Sequence, residues 1–406
     1  MLTVATATQP KITLPVLGQP HLNARRQVTW SRCRTPVPLT TSAPGGEAGM
    51  TLLGLPFLFL LVAVAATLVA ATMLLWNRWP RRWAFPMRLL SLLLVMASGV
   101  LLAADIVNRD YGFYTSLDDL LGRAPVQVLV ADRAAPDPDV GERAKGRIVQ
   151  VRLSGARAGV TRDALVYLPA AYFQPSQARR RFPVLELFHG YPGSPRNWVR
   201  QMHLARVLDA EIAGGSLPPV IAVIPTDNDP GQDSECVDAV GGQRDETYLA
   251  VDVPADIERE FRALDVPHGW AAAGYSTGGF CAVNIALHHP DRYAAAASLS
   301  GYYNATVAGT TSVLYGGNAA AWRWNSPQWL VGHRRVRVPL YLVASRGDHE
   351  AMGAMLGMRR AASRRLPLVT VTLPNGGHNF RVWYAASLAA FDWLGAHLPQ
   401  GGHGSA

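Results

Sequence analysis

A serine hydroxyl is a poor nucleophile at neutral pH, so a serine that does chemistry needs a base within hydrogen-bonding reach. The stretch Trp270 to Gly274 is a short apolar run that leads into Gly274-Tyr275-Ser276-Thr277-Gly278. A helix-like segment opened by Gly278 and Gly279 follows. Strand, tight turn and helix around Gly-x-Ser-x-Gly is the context that lifts a serine out of a buried sheet. Such a turn is strained, and glycines serve where a side chain would collide with neighbouring backbone. An ordinary turn that happens to contain a serine would show the same pattern. The chemistry therefore hinges on partners elsewhere in the chain.

Of the 11 histidines, His378 has the best placement. It follows the last strand-like run in VTLPNGGHNF, where Gly376 and Gly377 let the chain swing an imidazole over a sheet edge. A surface-loop histidine is the bland alternative. His288 and His289, before Pro290, read as helix-capping residues, while His333, His397 and His403 lie in polar or terminal segments. The base needs a carboxylate to fix its tautomer and stabilise the imidazolium. The run VPLYLVAS ends in RGDHEAMG, which offers Asp348 and Glu350. Asp348 comes first after the strand and follows a glycine, whereas Glu350 suits the first turn of the next helix, where an acid complements the macrodipole. Asp348 is favoured and Glu350 stays open as the alternative acid. The developing oxyanion needs preorganised N–H donors, each worth about 3 kcal/mol of barrier lowering. Thr277, directly after the serine, offers one backbone donor, and Tyr191 in LELFHGYPGSPRNW offers the second, with Gly190 allowing the turn. The order Ser276, Asp348, His378 is the one found in α/β-hydrolases.

The elements that must position these residues begin at Arg147. Strand candidates are RIVQVRL, DALVYLP, PVLELFH, VIAVIPT, WAAAGYS, AAASLSG, PLYLVAS and VTVTLP. Helix-like stretches, among them Ala255–Leu264, Gly278–His288, Glu350–Arg365 and Tyr384–His397, separate the later ones. Two β-rich units followed by alternating β and α predict an α/β fold, a mostly parallel central sheet flanked by helices. No internal repeat is visible.

Two apolar stretches precede this region. Thr51–Trp76 carries no charge and exceeds the about 20 residues a helix needs to cross a bilayer. Leu89–Val107 carries one charge, Asp105, near its end. The turn between them, NRWPRRWAFPMR, holds Arg78, Arg81, Arg82 and Arg88, so the positive-inside rule puts it in the cytoplasm and everything after Val107 outside. A secretory signal has an apolar region of only about 7–15 residues, so the first stretch is too long for one. The division expected is a disordered tail or untranslated extension over 1–49, with Met50 a natural start, then two transmembrane helices within 50–108 (about 51–76 and 87–107). A juxtamembrane segment and Pro/Asp-rich linker over 109–146 follow, then an α/β-hydrolase domain over 147–399 and a flexible tail over 400–406. Lys11, Arg25, Arg26, Arg32 and Arg34 sit poorly with an outward-facing N-terminus.

Composition limits the function classes. Hydrophobic residues make up 49% of the 406 and charged residues 17%, too apolar for disorder. The net charge of +9 comes almost wholly from arginine, dispersed or in short clusters such as Arg179-Arg180-Arg181, with no nucleic-acid motif. A solvated or membrane-facing surface explains it better than a nucleic-acid partner. Three cysteines give no metal-ligand spacing, and a Cys236–Cys281 disulfide is expected only if the domain lies in an oxidising compartment. The Ser-His-Asp chemistry requires neither metal nor organic cofactor. Tyr191, Trp198, Tyr302, Tyr303 and Trp383 could line a pocket, although core packing is the commoner use of aromatics.

Taken together, LFHGYPGSPRNW, VIPTDND, DVPADI, GYSTGGFCAVNIALHHPDRY and GGHNFRVW resemble the Esterase family of α/β-hydrolases. That family includes esterase D-like carboxylesterases, feruloyl esterases and the envelope mycolyltransferases. The resemblance covers roughly Arg147 to Leu398 and implies catalytic roles for Ser276, Asp348 and His378, with backbone oxyanion donors at Tyr191 and Thr277. One departure is Ser345-Arg346-Gly347-Asp348 in place of the family's usual glycine at the head of G-x-x-D. Mycolyltransferases use a glutamate in this region, which keeps Glu350 open. Membrane-anchored relatives with an outward catalytic domain also resemble this chain. The expected function is an extracytoplasmic, membrane-anchored serine esterase acting on a small-molecule or lipid or glycan ester. Alternatives are an acyltransferase delivering an acyl chain to a sugar hydroxyl, a peptidase, and a non-catalytic envelope-binding protein.

Overall fold

The computed structural model describes residues 52–111, 114, 117–121, 128–130 and 145–401, apart from 230, 308, 363–365 and 375. The expectations for 1–49, for Met50 and for 402–406 lie outside the described residues, as does the linker over 131–144. The strands are β1 (Val128–Val130), β2 (Arg147–Gly155), β3 (Val160–Leu168), β4 (Val184–Phe188), β5 (Ile221–Pro225), β6 (Trp270–Tyr275), β7 (Tyr293–Leu299), β8 (Leu340–Ser345) and β9 (Leu368–Leu373). They form one sheet in the order β1-β2-β3-β5-β4-β6-β7-β8-β9. Pairing is antiparallel only at β2–β3 and β3–β5, and parallel from β5 to β9 and between β1 and β2. All eight candidate runs are strands. The three-residue β1 was not anticipated, because so short a segment carries no periodicity.

Every residue of β4, β5, β6 and β8 is buried, which is why their sequences run apolar without alternation. Alternate residues feed two separate cores. Val184, Val223, Trp270 and Ala272 face one, under the helices Val253–Glu260, Thr277–His288 and His349–Ala361. Leu185, Ala222, Ala271 and Ala273 face the other, under Leu204–Ala213 and Phe380–Gly395. Alanines in β6 and β7 let helices approach the sheet closely. One acid sits inside: the carboxylate of Glu186 on β4 accepts the Tyr293 hydroxyl at 2.6 Å. Its burial pushes its pKa up to about 8, against the opposing effects of Tyr293 and Arg292.

Helix boundaries differ from the sequence expectations. The expected Ala255–Leu264 helix is Val253–Glu260, ending where Phe261 turns extended and the Phe182 N–H pairs with the Arg262 carbonyl. Glu350–Arg365 is His349–Ala361, and Gly278–His288 begins one residue earlier, at Thr277. Tyr384–His397 starts four positions sooner, at Phe380, because Asn379 caps it by accepting the Val382 N–H at 3.2 Å.

The two apolar stretches are the helices Leu55–Leu75 and Arg81–Tyr111, each long and apolar enough to cross a membrane by length and composition. The second was expected from about 87; Arg81, Arg82 and Trp83 instead belong to its first turn, while Arg78 stays in the turn Trp76–Pro80, which suffices to reverse the chain. Asp105 does not stand alone. Arg109, one turn on, pairs with it at 2.5 Å and donates to the carbonyls of Leu52, Leu53 and Gly54 at 3.1, 3.0 and 3.0 Å. A guanidinium thereby neutralises the carboxylate and occupies three backbone carbonyls at the start of the first helix.

Candidate active site

β6 delivers the serine, and the turn it enters is tight. Ser276 has φ 55° and ψ −127°, a left-handed conformation rare for a residue with a side chain. Such a turn demands close backbone approach. A Cβ on Gly274 would come within 2.0 Å of the Gly278 carbonyl oxygen, and one on Gly278 within 2.3 Å of the Phe188 carbonyl oxygen. The turn is anchored by the Ser276 N–H to the Leu299 carbonyl at 3.0 Å, and by the Gly279 N–H to the Ser276 carbonyl at 2.9 Å. Ser276 itself stays partly exposed at the carboxyl edge of the sheet.

His378 and Asp348 arrive from the loops after β9 and β8. His378 Nε2 lies 2.8 Å from Ser276 Oγ, and its Nδ1 lies 2.7 Å from Asp348 Oδ2. The ring meets Trp383 edge to face at 4.9 Å. Asp348 is buried and caps the helix that follows it, accepting the Ala351 N–H at 3.2 Å. Burial pushes its carboxyl up, but the hydrogen bond and charge of His378, with help from Ala351 and Ser300, outweigh that and hold it below the usual carboxylate range. The two loops are stitched together by the Ser345 hydroxyl donating to the Gly376 carbonyl at 2.8 Å. A Cβ on Gly347 would strike that same carbonyl at 2.3 Å, which accounts for the glycine directly before the acid. Glu350 is exposed on the helix surface; the carboxylate against His378 is that of Asp348.

The two backbone donors expected for an oxyanion also flank the serine. Thr277 is the first residue of the helix, and neither its N–H nor that of Tyr191 has a partner among the described residues. The turn that carries Tyr191 abuts the serine, since a Cβ on Gly190 would lie 3.0 Å from Ser276 Cβ. Unpaired N–H groups at a helix start are where an anion is stabilised.

Several residues of the site are not evident from sequence. Asp227, at the end of β5, accepts the backbone N–H of His189 at 3.1 Å and lies 3.0 Å from His189 Nε2, out of line for a hydrogen bond. Burial lowers the His189 pKa to about 4, although its hydrogen bond to the Gly190 carbonyl opposes this, so the imidazole is neutral at pH 7. Burial, and next the nearby Asp233, raise Asp227. The pair shapes the turn from behind. Asp233 in turn accepts the Thr277 hydroxyl at 3.2 Å. The motif His189-Gly190 was legible; its acidic partner was not, because it comes from a distant loop.

Other expectations are revised. His289 is the C-cap residue of its helix, its N–H bonded to the Ile285 carbonyl at 2.9 Å, while the rings of His288 and His289 both contact Glu246, at 2.9 and 3.0 Å, and His288 Nε2 meets the Trp324 carbonyl at 2.8 Å. Trp198 and Tyr303 are core residues, and Trp383 stacks on Tyr275 at 4.6 Å, so of the five aromatics only Tyr191 and Tyr302 keep partial exposure. Cys236 and Cys281 form a disulfide with their Cα atoms 5.4 Å apart. Among the described residues no group of histidines, cysteines and acids could hold a metal ion.

The Esterase family model, described as "Putative esterase", matches residues 156–386. An uncharacterized protein of Corynebacterium glutamicum, Cgl0967/cg1104, is 31% identical over 274 residues, covering 63% of this chain and 63% of its own length. Esterase Rv1288 of Mycobacterium tuberculosis is 31% identical over 173 residues, 42% of this chain and 34% of that protein. The chain thus spans less than two thirds of the length of either relative. An S-formylglutathione hydrolase from Agrobacterium tumefaciens superposes with a TM-score of 0.54 at 17% identity, over 63% of this chain and 96% of that one, a likeness of fold.

Proposed function

We propose that this chain, which belongs to the Esterase family, is a serine hydrolase of carboxylic esters in which Ser276, His378 and Asp348 form the catalytic triad. The observation that carries the proposal is the continuous contact from Ser276 Oγ to His378 Nε2 at 2.8 Å and from His378 Nδ1 to Asp348 at 2.7 Å. Ser276 Oγ attacks the ester carbonyl carbon while its proton passes to His378 Nε2. Asp348, held ionised below the usual range, stabilises the imidazolium and fixes Nδ1–H as the donor. The carbonyl oxygen, now negative, takes hydrogen bonds from the N–H groups of Thr277 and Tyr191. As the tetrahedral centre collapses, His378 returns its proton to the departing alcohol and the acyl group stays on Ser276. Water then attacks the acyl-enzyme by the same sequence in reverse, releasing the acid.

The domain over 147–399 would carry this chemistry, with the hairpin as its membrane anchor. Support for an anchor is the exposed apolar surface of both helices, and the arginines at Arg78, Arg81, Arg82 and Arg88 favour a cytoplasmic turn. The Cys236–Cys281 bond fits a catalytic domain on the oxidising, extracytoplasmic side.

The test is turnover of a graded series of p-nitrophenyl esters by the full chain in detergent, with and without a sugar acceptor. We expect acid release into water, lost in Ser276→Ala. Acyl transfer to the sugar in excess water would make the protein an acyltransferase with the same triad. Turnover undiminished in Ser276→Ala would refute the assignment.

A further inference from the structure

The stretch Asp233-Ser234-Glu235-Cys236 lies in the long connection from β5 to β6 and takes no part in the proton relay. Its side chains nevertheless reach the catalytic edge in two directions. Towards the nucleophile helix, Asp233 accepts the hydroxyl of Thr277, and Cys236 is bonded to Cys281. Residues 277 and 281 lie one turn apart on one helix face, so the stretch is fastened to that face at successive turns. Towards the other side, the buried carboxylate of Glu235 accepts the Tyr302 hydroxyl at 2.7 Å and the N–H and hydroxyl of Thr306 at 3.0 and 2.7 Å. It also accepts the hydroxyl of Tyr315. These partners belong to the segment after β7, and Ser300 at its start bonds Asp348. Tyr302 also stacks on Phe280 of the nucleophile helix at 4.9 Å.

Two further observations show that this stretch is held under constraint. Glu235 and Cys236 have φ 44° and 53°, so two successive non-glycine residues occupy the left-handed region. Such a conformation persists only where surrounding contacts over-determine it. Burial also raises the Glu235 pKa even though four donors oppose the rise. A buried acid kept at that cost, without a step in the chemistry, is explained by what it holds.

We propose that Glu235 is a positioning residue, and the Cys236–Cys281 bond the covalent fastening, of a clamp that keeps the Thr277 N–H and the Ser300–Tyr315 wall in their working places. Turnover at Ser276 then depends on the oxidised bond. The inference rests on the esterase reading for its catalytic consequence, but the clamp itself can be measured without it. A dithiol reductant would convert the bond into two thiols, itself closing to a cyclic disulfide. The left-handed residues then relax, and the contacts of the Thr277 side chain with Asp233 and Tyr302 lose their covalent backing.

The experiment compares the full-length wild type, oxidised and dithiol-treated, with Glu235→Gln and with the double variant Cys236→Ser/Cys281→Ser. Turnover of p-nitrophenyl acetate and amide hydrogen exchange are both followed. We expect kcat to fall about 10- to 100-fold in both variants with KM changed less than about threefold, the signature of a donor lost from the transition state. Exchange should quicken at 302–315 while β6, β7 and β8 keep their protection. Unchanged kcat and unchanged exchange at 302–315 would overturn the clamp, and so would protection lost evenly across the sheet. A wild type that hydrolyses no ester, yet shows faster exchange confined to 302–315 on reduction, would remove the esterase reading and uphold the clamp.

Discussion

The hairpin and the sheet are built from the same apolar residue types and treat them in opposite ways. In the hairpin, Phe59, Met73, Phe85 and Val100 are 65, 75, 77 and 67% exposed, whereas Val184, Val223, Trp270 and Leu342 of the sheet are fully buried. Both regions also contain a buried carboxyl group. Asp105 of the hairpin is neutralised by an arginine one turn away, while Glu186 of the sheet has the Tyr293 hydroxyl and no cation bonded to it. One set of apolar side chains makes its own interior; the other lies on the surface, and under the anchor proposed above it is covered by lipid. An overall hydrophobic content of 49% therefore averages two different physical situations.

Placing one substitution in both regions sharpens that contrast most. Val223→Arg forces an unpaired charge into the sheet core and should cost more than about 5 kcal/mol, leaving little folded protein in expression trials. Leu93→Arg, at a 52% exposed helix position, should leave ester turnover intact. It should weaken membrane insertion by about 3 kcal/mol, visible as protein lost from the carbonate-washed membrane fraction. Full membrane retention of Leu93→Arg would break the comparison.

Next in size is the contrast between two acids two positions apart. Asp348→Asn should lower kcat by about 10⁴-fold, since the imidazole loses the carboxylate that fixes its tautomer. Glu350→Gln, exposed and away from His378, should stay within about twofold of wild type. A reversed pattern in the same kinetic assay would transfer the acid role to Glu350.

The smallest effect concerns Glu186. Its folded-state pKa, about 8, lies above an ordinary value near 4.5, so the folded protein binds the proton more tightly than the unfolded chain. Its contribution is then fully present below about pH 4.5 and is lost as pH rises towards 8. Glu186→Gln should remove that loss and raise stability at pH 8 by about 4 kcal/mol, with little change at pH 4. Thermal midpoints across that range would show it; a Glu186→Gln midpoint that falls relative to wild type as pH rises would contradict the assignment.

What the sequence reveals follows from how far apart in the chain the interacting groups are. Trp270 to Gly279 encodes strand, turn and helix within ten neighbours, and His378 betrays itself by the glycines before it. Of the eight longer strands, β4, β5, β6 and β8 were legible because burial on both faces leaves them apolar, and β2 and β9 because apolar and polar residues alternate along them. Asp227, Asp233 and Glu235 were not, since their partners His189, Thr277 and Tyr302 come from separate loops whose meeting depends on the path of the chain after β5. The start of the last helix was hidden for a related reason: Asn379 caps it directly after His378, where the pattern looked like active-site loop. The second apolar helix was drawn too short because arginines at its start suggested a turn, although arginine is at home in a helix.

In the proposed triad Ser276 is the activated nucleophile. Its most direct test is treatment of the full-length protein with a fluorophosphonate probe, followed by peptide mapping of the adduct. One phosphonylated residue is expected, Ser276, with labelling abolished in Ser276→Ala and strongly slowed in His378→Ala. Labelling of another residue, or labelling that persists in Ser276→Ala, would contradict it.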